Sequence, residues 1–338
     1  MGGVIRHKIP FLTVYHKNPR LSRKIPEKVR KAMSFCDSAY HRCTLCAHRC
    51  GVARDEGERG VCRMGDTPRI ARAALHFYEE PPISGKGGSG AVFFSGCSLG
   101  CIYCQNREIS HGGFGVEVDE NTLASIYLRL EKEGAENINL VTPTHFAPSV
   151  ISSVAAAREA GLSLPIVYNT SSYETPETVD ALDGTVDVFL ADMKYHDTAL
   201  AKAYSAAADY PAVAREAISH MVRLRGTPVY DARGMLRSGV VVRLLLLPGH
   251  VANSCLALHR LYETYGDHIV YSLMNQYTPP EGMLPPLHRG VTREEYRAFL
   301  RYAEKIGISD AFIQEEGTAT ESFRPPFDLT GVPQGKNF

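Results

Sequence analysis

The chain has 338 residues, with 37 Lys+Arg against 37 Asp+Glu and a formal net charge of zero. That balance excludes a protein held to nucleic acid by a broad basic field, and the length suits one large or two modest domains. There is no apolar run of membrane-spanning length and no apolar leader, so the expectation is a cytoplasmic protein without a membrane partner.

Nine cysteines are present, seven of them in two tight clusters. In a chain expected to be cytosolic, such spacing reads as metal ligation rather than disulfides. Cys36 and Cys255 lie outside the clusters and read as small core residues.

In chain order, residues 5–31 are rich in Lys and Arg, with Glu27 the single acid. They read as a solvated arm, with a docking surface for an acidic electron donor as the rival. Next come Cys43, Cys46, Cys50 and Cys62, four thiols within twenty residues. Four thiolates satisfy a structural zinc site and would equally hold an auxiliary iron–sulfur cluster; zinc is the preferred reading. His41 and His48 nearby read as ordinary surface residues. The run Gly85-Lys86-Gly87-Gly88-Ser89-Gly90 lacks the Gly-Lys-Ser/Thr ending of a phosphate loop and reads as a flexible lead-in to a strand.

The stretch Phe93-Phe94-Ser95-Gly96-Cys97-Ser98-Leu99-Gly100-Cys101-Ile102-Tyr103-Cys104-Gln105-Asn106 carries the strongest signal. Three thiolates on one short loop grip three corners of a cubane cluster, which normally takes four cysteines. An iron with an open position can bind and activate a small molecule. The bland alternative is a zinc knuckle or three buried thiols, but zinc asks for four ligands.

From residue 91, short apolar runs alternate with amphipathic stretches. Strands are expected at 91–94, 138–141, 165–168, 186–190, 240–247 and 269–273, with an extra one at 311–314. Helices are expected at 121–132, 147–160, 176–182, 199–206, 212–224 and 252–265, with a closing helix at 292–305. The alternation predicts an α/β fold with a parallel sheet, and six units make an incomplete (β/α) barrel of the TIM type. The expected organisation is an arm and cysteine-rich extension at 1–90, the partial barrel at 91–290, and a closing helix with an irregular tail from Gly317 at 291–338.

The cysteine loop, with an aromatic residue just before its last cysteine, resembles that of the radical S-adenosylmethionine enzymes. A wider likeness, to proteins similar to the pyruvate formate-lyase activating enzyme, rests on four stretches: 79–85 (EEPPISG), the Cys-Gln-Asn at 104–106, 137–145 (NINLVTPTH) and 274–279 (MNQYTP). The resemblance implies a [4Fe–4S] cluster on Cys97, Cys101 and Cys104, with S-adenosylmethionine on the open iron. An electron from the cluster splits the sulfonium and gives a 5′-deoxyadenosyl radical that abstracts hydrogen.

It also implies S-adenosylmethionine contacts from Tyr103, Thr142, Thr144, Asn169, Ser171, Asp192, Lys194 and Arg243 at the loop and strand ends. His145, Asn275 and Gln276 are candidate contacts to cofactor or substrate, with a satisfied polar residue under a loop as the rival reading of His145. The sequence departs from the family at 142–144, where Thr-Pro-Thr replaces Gly-Gly-Glu. The rival reading of Asp192 with Lys194 is an internal salt bridge; of Arg243, a core ion pair; of Asn169 and Ser171, turn chemistry.

The implied partners are a reducing donor such as flavodoxin or ferredoxin, and a glycyl-radical protein that loses a backbone hydrogen. The alternative is radical modification of a small metabolite or peptide. The non-enzyme alternative is an electron-transfer iron–sulfur protein. Zinc-dependent nucleic-acid binding through Cys43–Cys62 is the weakest reading.

Overall fold

In the computed structural model, which describes residues 34–314 and 325–333, the β-branched and apolar runs pair as foreseen. The basic arm at 5–31, and residues 317–324 and 334–338 of the tail, lie outside the described residues.

The elements in order are β1 (Arg69–His76), β2 (Ser89–Phe94), β3 (Val116–Glu117), α1 (Glu120–Lys132), β4 (Ile138–Val141), α2 (Ala147–Glu159), β5 (Ile166–Thr170) and α3 (Pro176–Ala181). They continue with β6 (Val188–Asp192), α4 (Thr198–Ser205), α5 (Tyr210–Arg225), β7 (Val229–Tyr230), β8 (Leu236–Leu245), α6 (Val251–Tyr265), β9 (Val270–Met274), α7 (Arg293–Lys305) and β10 (Phe312–Ile313). Strands β2, β4, β5, β6, β8, β9 and β10 pair in parallel, each with the next. The sheet order β10-β9-β8-β6-β5-β4-β2-β1-β3 does not close on itself. This is the open, largely parallel sheet expected of a partial barrel. Every residue of β2 and β4 is buried, as strands covered on both faces require.

Two features correct the sequence reading. The first is β1, which pairs antiparallel with β2 and β3. Its arginines disguised it: Arg72 reaches the Asp328 carboxylate at 2.8 Å and Arg69 reaches Glu117 at 3.0 Å, so charged side chains hold the solvent side of an outer strand. The second is the glycine run before β2, which is packed rather than flexible. A Cβ on Gly87 would stand 2.2 Å from the Gly134 carbonyl oxygen, and Ser89 bonds the Asn137 side chain at 2.7 Å. Strand β8 also begins at Leu236 rather than at 240.

The cysteine-rich segment shares the barrel's core. Leu45, Cys43, Cys62 and Met64 are buried in the cluster that holds Phe94 and Leu99. No helix among the described residues is long and apolar enough to cross a membrane.

The closing helix α7 starts where the sequence placed it because Thr292 and Glu295 form a reciprocal capping box. Thr292→Ala leaves a helix N–H without its cap and is expected to cost about 1 kcal/mol, read from urea unfolding midpoints.

Candidate active site

Parallel strands deliver their carboxyl ends to one side, and loops there build the site of a barrel. Here they enclose a cavity of about 570 Å³, within the range of about 300–1,000 Å³ usual for ligand clefts. Cys97, Cys101 and Cys104 all line it. So do Tyr103, Thr142, Asn169, Ser171, Asp192, Lys194, Arg243 and Gln276. Residues separated by more than 170 positions thus meet because each follows its own strand.

The cysteine loop curls through Gly96 (φ +85°) and Gly100 (φ +58°), a conformation that costs glycine nothing. Gly96 has a second reason: a Cβ there would meet Met64 Cγ at 2.4 Å and the Cys62 carbonyl at 2.9 Å. Each sulfur has a donor. The N–H groups of Leu99 and Gly100 lie 3.3 and 3.5 Å from Cys97 Sγ. Ser205 Oγ donates to Cys101 Sγ at 3.0 Å, and Ser110 Oγ to Cys104 Sγ at 3.4 Å. Burial, with the neighbouring thiols of Cys101 and Cys104, pushes the Cys97 thiol up to about 12. Donors aimed at sulfur are what a cluster-bound thiolate needs from its surroundings. Among the described residues no three His, Cys, Asp or Glu side chains converge on a point able to hold one metal ion. A cubane takes its thiolates one to an iron, so its ligands stand apart. The three thiols of the loop fit that demand.

On β6 and just beyond, alternation puts Asp192 and Lys194 on one face, and Lys194 Nζ lies 2.5 Å from Asp192 Oδ2. Burial opposes the ammonium, but the Asp192 carboxylate, with Cys101 and Tyr210, outweighs it and holds the Lys194 pKa above its ordinary value. The internal pair foreseen as a rival is therefore present, and it faces the cavity.

Arg243 is also paired, to carboxylates the sequence reading had not given a role. Its Nε donates to Glu80 Oε1 at 2.8 Å, and its Nη2 bonds both Glu80 and Glu79. Asn139 Nδ2 holds Glu79 at 2.9 Å. Burial works against the Glu80 carboxylate, yet Arg243 keeps its pKa below the usual range. Two carboxylates share one guanidinium in the cavity wall. The adjacent acids before Pro81-Pro82 were the signal, but nothing local shows that they face a strand 163 positions away.

Three candidates lie away from the cavity. His145 is buried behind the loop, with Nε2 at 2.7 Å from the Ser95 carbonyl, and does not line the cavity. Thr144 is buried, does not line the cavity, and donates to Glu174 Oε1 at 2.5 Å. Asn275 does not line the cavity; its N–H donates to Gln314 Oε1 at 2.8 Å. Tyr103 is held from behind by the Tyr195 hydroxyl at 2.8 Å. Thr142 takes φ +59°, a strained conformation for a β-branched residue.

Residues 83–204 match the model of a family described as a 4Fe-4S single cluster domain. An uncharacterized protein of Methanocaldococcus jannaschii is 26% identical over 84% of this chain and 80% of its own. Among solved structures, a radical SAM methyltransferase from Sphaerobacter thermophilus aligns with a TM-score of 0.47 at 15% identity, covering 90% of this chain and 93% of that one. Streptococcus suis SuiB bound to S-adenosylmethionine aligns at 0.45 and 11% identity over 68% of this chain. The chain spans about half the length of SuiB. Of the cofactors that the resemblance implies, the cluster is named in the description of the matching family model.

Burial, and then the nearby Arg54 charge, lowers His145 from its ordinary 6.5 to about 3. The unfolded chain takes up a proton below pH 6.5 that the folded protein refuses until about pH 3. This residue's stability is therefore complete above pH 6.5 and lost as pH falls towards 3. His145→Asn is expected to flatten that acid limb. Urea midpoints measured across the range in a Cys97/Cys101/Cys104→Ala background, with and without His145→Asn, check it.

Proposed function

We propose that the chain is a radical S-adenosylmethionine enzyme whose cluster is held by Cys97, Cys101 and Cys104. The observation that carries this is the set of three sulfurs, each with a hydrogen-bond donor, opening into a cavity that also presents Asp192 and Lys194. When bound, the reduced cluster supplies the electron that splits S-adenosylmethionine and yields a 5′-deoxyadenosyl radical. The protein's own share is placement. Lys194 offers an ammonium to the methionine carboxylate, with Asp192 holding it in position. Thr142, Asn169 and Ser171 present hydroxyl and amide groups from neighbouring strand ends. Tyr103, fixed by Tyr195, gives a flat apolar wall beside the loop.

Anaerobic reconstitution followed by assay for 5′-deoxyadenosine tests the reading. Production is expected from the wild type and a loss of more than about a hundredfold in Cys101→Ala, since a cluster lacking one ligand loses its function. A wild type with an intact cluster and no product would leave an electron-transfer protein instead. Lys194→Ala is expected to weaken S-adenosylmethionine binding about tenfold, the worth of one charged hydrogen bond at about 1.4 kcal/mol, as read by calorimetry.

For the substrate, we favour a polypeptide, such as a glycyl-radical protein that would lose a backbone hydrogen. Phe77, Tyr78 and Ile313 line the cavity yet stay 52%, 49% and 58% exposed, an apolar rim that a polypeptide would cover. A small cationic metabolite is the second reading, favoured by the surplus carboxylate of Glu79 and Glu80 against Arg243. Fractionated extract separates them. Polypeptide fractions are expected to stimulate 5′-deoxyadenosine release; stimulation by the small-molecule fraction alone would favour the second.

A further inference from the structure

Helix α4 is short and is tied down at both ends. Asp197 caps its start, accepting from the N–H groups of Ala199 and Leu200 at 2.6 and 3.1 Å. Asn253 Oδ1 in turn holds the His196 and Asp197 N–H groups at 2.9 and 3.0 Å. The last turn of the helix meets the cysteine loop. The Tyr204 carbonyl accepts from the Ile102 N–H at 2.9 Å, and Ser205 Oγ donates to Cys101 Sγ at 3.0 Å. Two adjacent residues of the helix therefore grip two adjacent residues of the loop. Ser205 and Cys101 are both buried.

Ser205 is held from its other side as well. The buried Tyr195 hydroxyl lies 2.8 Å from Ser205 Oγ and 2.8 Å from the Tyr103 hydroxyl. The Tyr195 ring packs edge-on against Tyr210 and Tyr103, with centroids 5.4 and 6.5 Å apart. A serine hydroxyl carries one proton and rotates to suit its surroundings. A proton offered by Tyr195 to the serine oxygen leaves the serine proton for the sulfur. Buried hydroxyls in series polarise one another, and each bond gains strength.

The other two sulfurs are served differently. The donors to Cys97 Sγ are amide N–H groups of the loop itself. Ser110 Oγ lies 3.4 Å from Cys104 Sγ but also 2.9 Å from His111 Nδ1, so its single proton is divided. Ser205 is the buried side-chain donor with a second hydroxyl behind it. Neither Ser205 nor Tyr195 lines the cavity, so neither is placed to touch a ligand there.

We propose, on the reading of Cys97, Cys101 and Cys104 as the ligands of the cluster, that Ser205, oriented by Tyr195, raises the reduction potential of that cluster. The two act through Cys101 and are positioning residues. The step they govern is the arrival of one electron from an external one-electron reductant, with no bond formed or broken. That electron makes the ligating sulfurs more negative. A hydrogen bond to Cys101 Sγ therefore stabilises the reduced state more than the oxidised one.

Anaerobically reconstituted protein, titrated with dithionite and mediator dyes and read by electron paramagnetic resonance, provides the test. In Ser205→Ala the ratio of reduced to oxidised cluster at a fixed solution potential is expected to fall about tenfold, or about 59 mV for one electron. Tyr195→Phe, which keeps the ring and loses the hydroxyl, is expected to move the same way by less. Ser110→Ala is expected to move less than Ser205→Ala, and a larger shift there removes the leading role from Ser205. An intact cluster signal with an unshifted potential in Ser205→Ala overturns the proposal. If Ser205→Ala holds no cluster, Tyr195→Phe decides: a lowered potential supports the proposal and an unchanged one overturns it. A wild type without a reducible four-iron signal removes the cluster reading itself, and the proposal with it.

Discussion

The fit of the cysteine-rich segment against the back of the Cys97 loop is the constraint on which the cavity depends. Three stretches of chain meet at Gly96: the segment ending in Met64, the loop itself, and the strand-end turn that carries His145. There is no room for a side chain at that point. Arg54 fastens the same junction by bonding the Met64, Gly65 and His145 carbonyls at once. Three sulfurs on a glycine-containing loop would otherwise be free to splay, and a cluster needs them held at fixed spacing before it binds.

The polar chemistry of the cavity follows from β-strand alternation at the carboxyl ends of a parallel sheet. Asp192 and Lys194 face inward together because they are two residues apart. Arg243 faces inward from β8, next to Asp192 in the register. Each cation is matched with carboxylate inside the cavity, so the wall is charged without being strongly cationic. Glu79 and Glu80 arrive from the connection between β1 and β2 and leave that wall with negative charge to spare. A site of this kind receives a cationic or zwitterionic ligand at lower desolvation cost than an anionic one.

The loop, the seven parallel strands and the helices between them were legible in the sequence, since each depends on residues close together in the chain. Cys97, Cys101 and Cys104 are defined by spacing, and Val240-Val241-Val242 is an apolar, β-branched run that suits a covered strand. Strand β1 was not legible, because Arg69 and Arg72 interrupt the buried Ile70, Ala71 and Ala73 and mask the apolar run. Nor was the real setting of Arg243. A buried arginine announces that it needs a partner, but the partners sit 163 and 164 positions earlier. His145 read equally as a strand-end contact or as a satisfied polar residue, and only the turn after β4, which points its ring back towards Ser95, sets its placement.

By itself the sequence determined the cysteine spacing, the parallel α/β alternation and the presence of charged residues at strand ends, all set by local periodicity and short-range ligand geometry. The tertiary structure alone decided which of those charges pair, which residues face the cavity, and that a second set of cysteines backs the first. Those outcomes turn on contacts between segments far apart in the chain, where burial rather than spacing selects the partner.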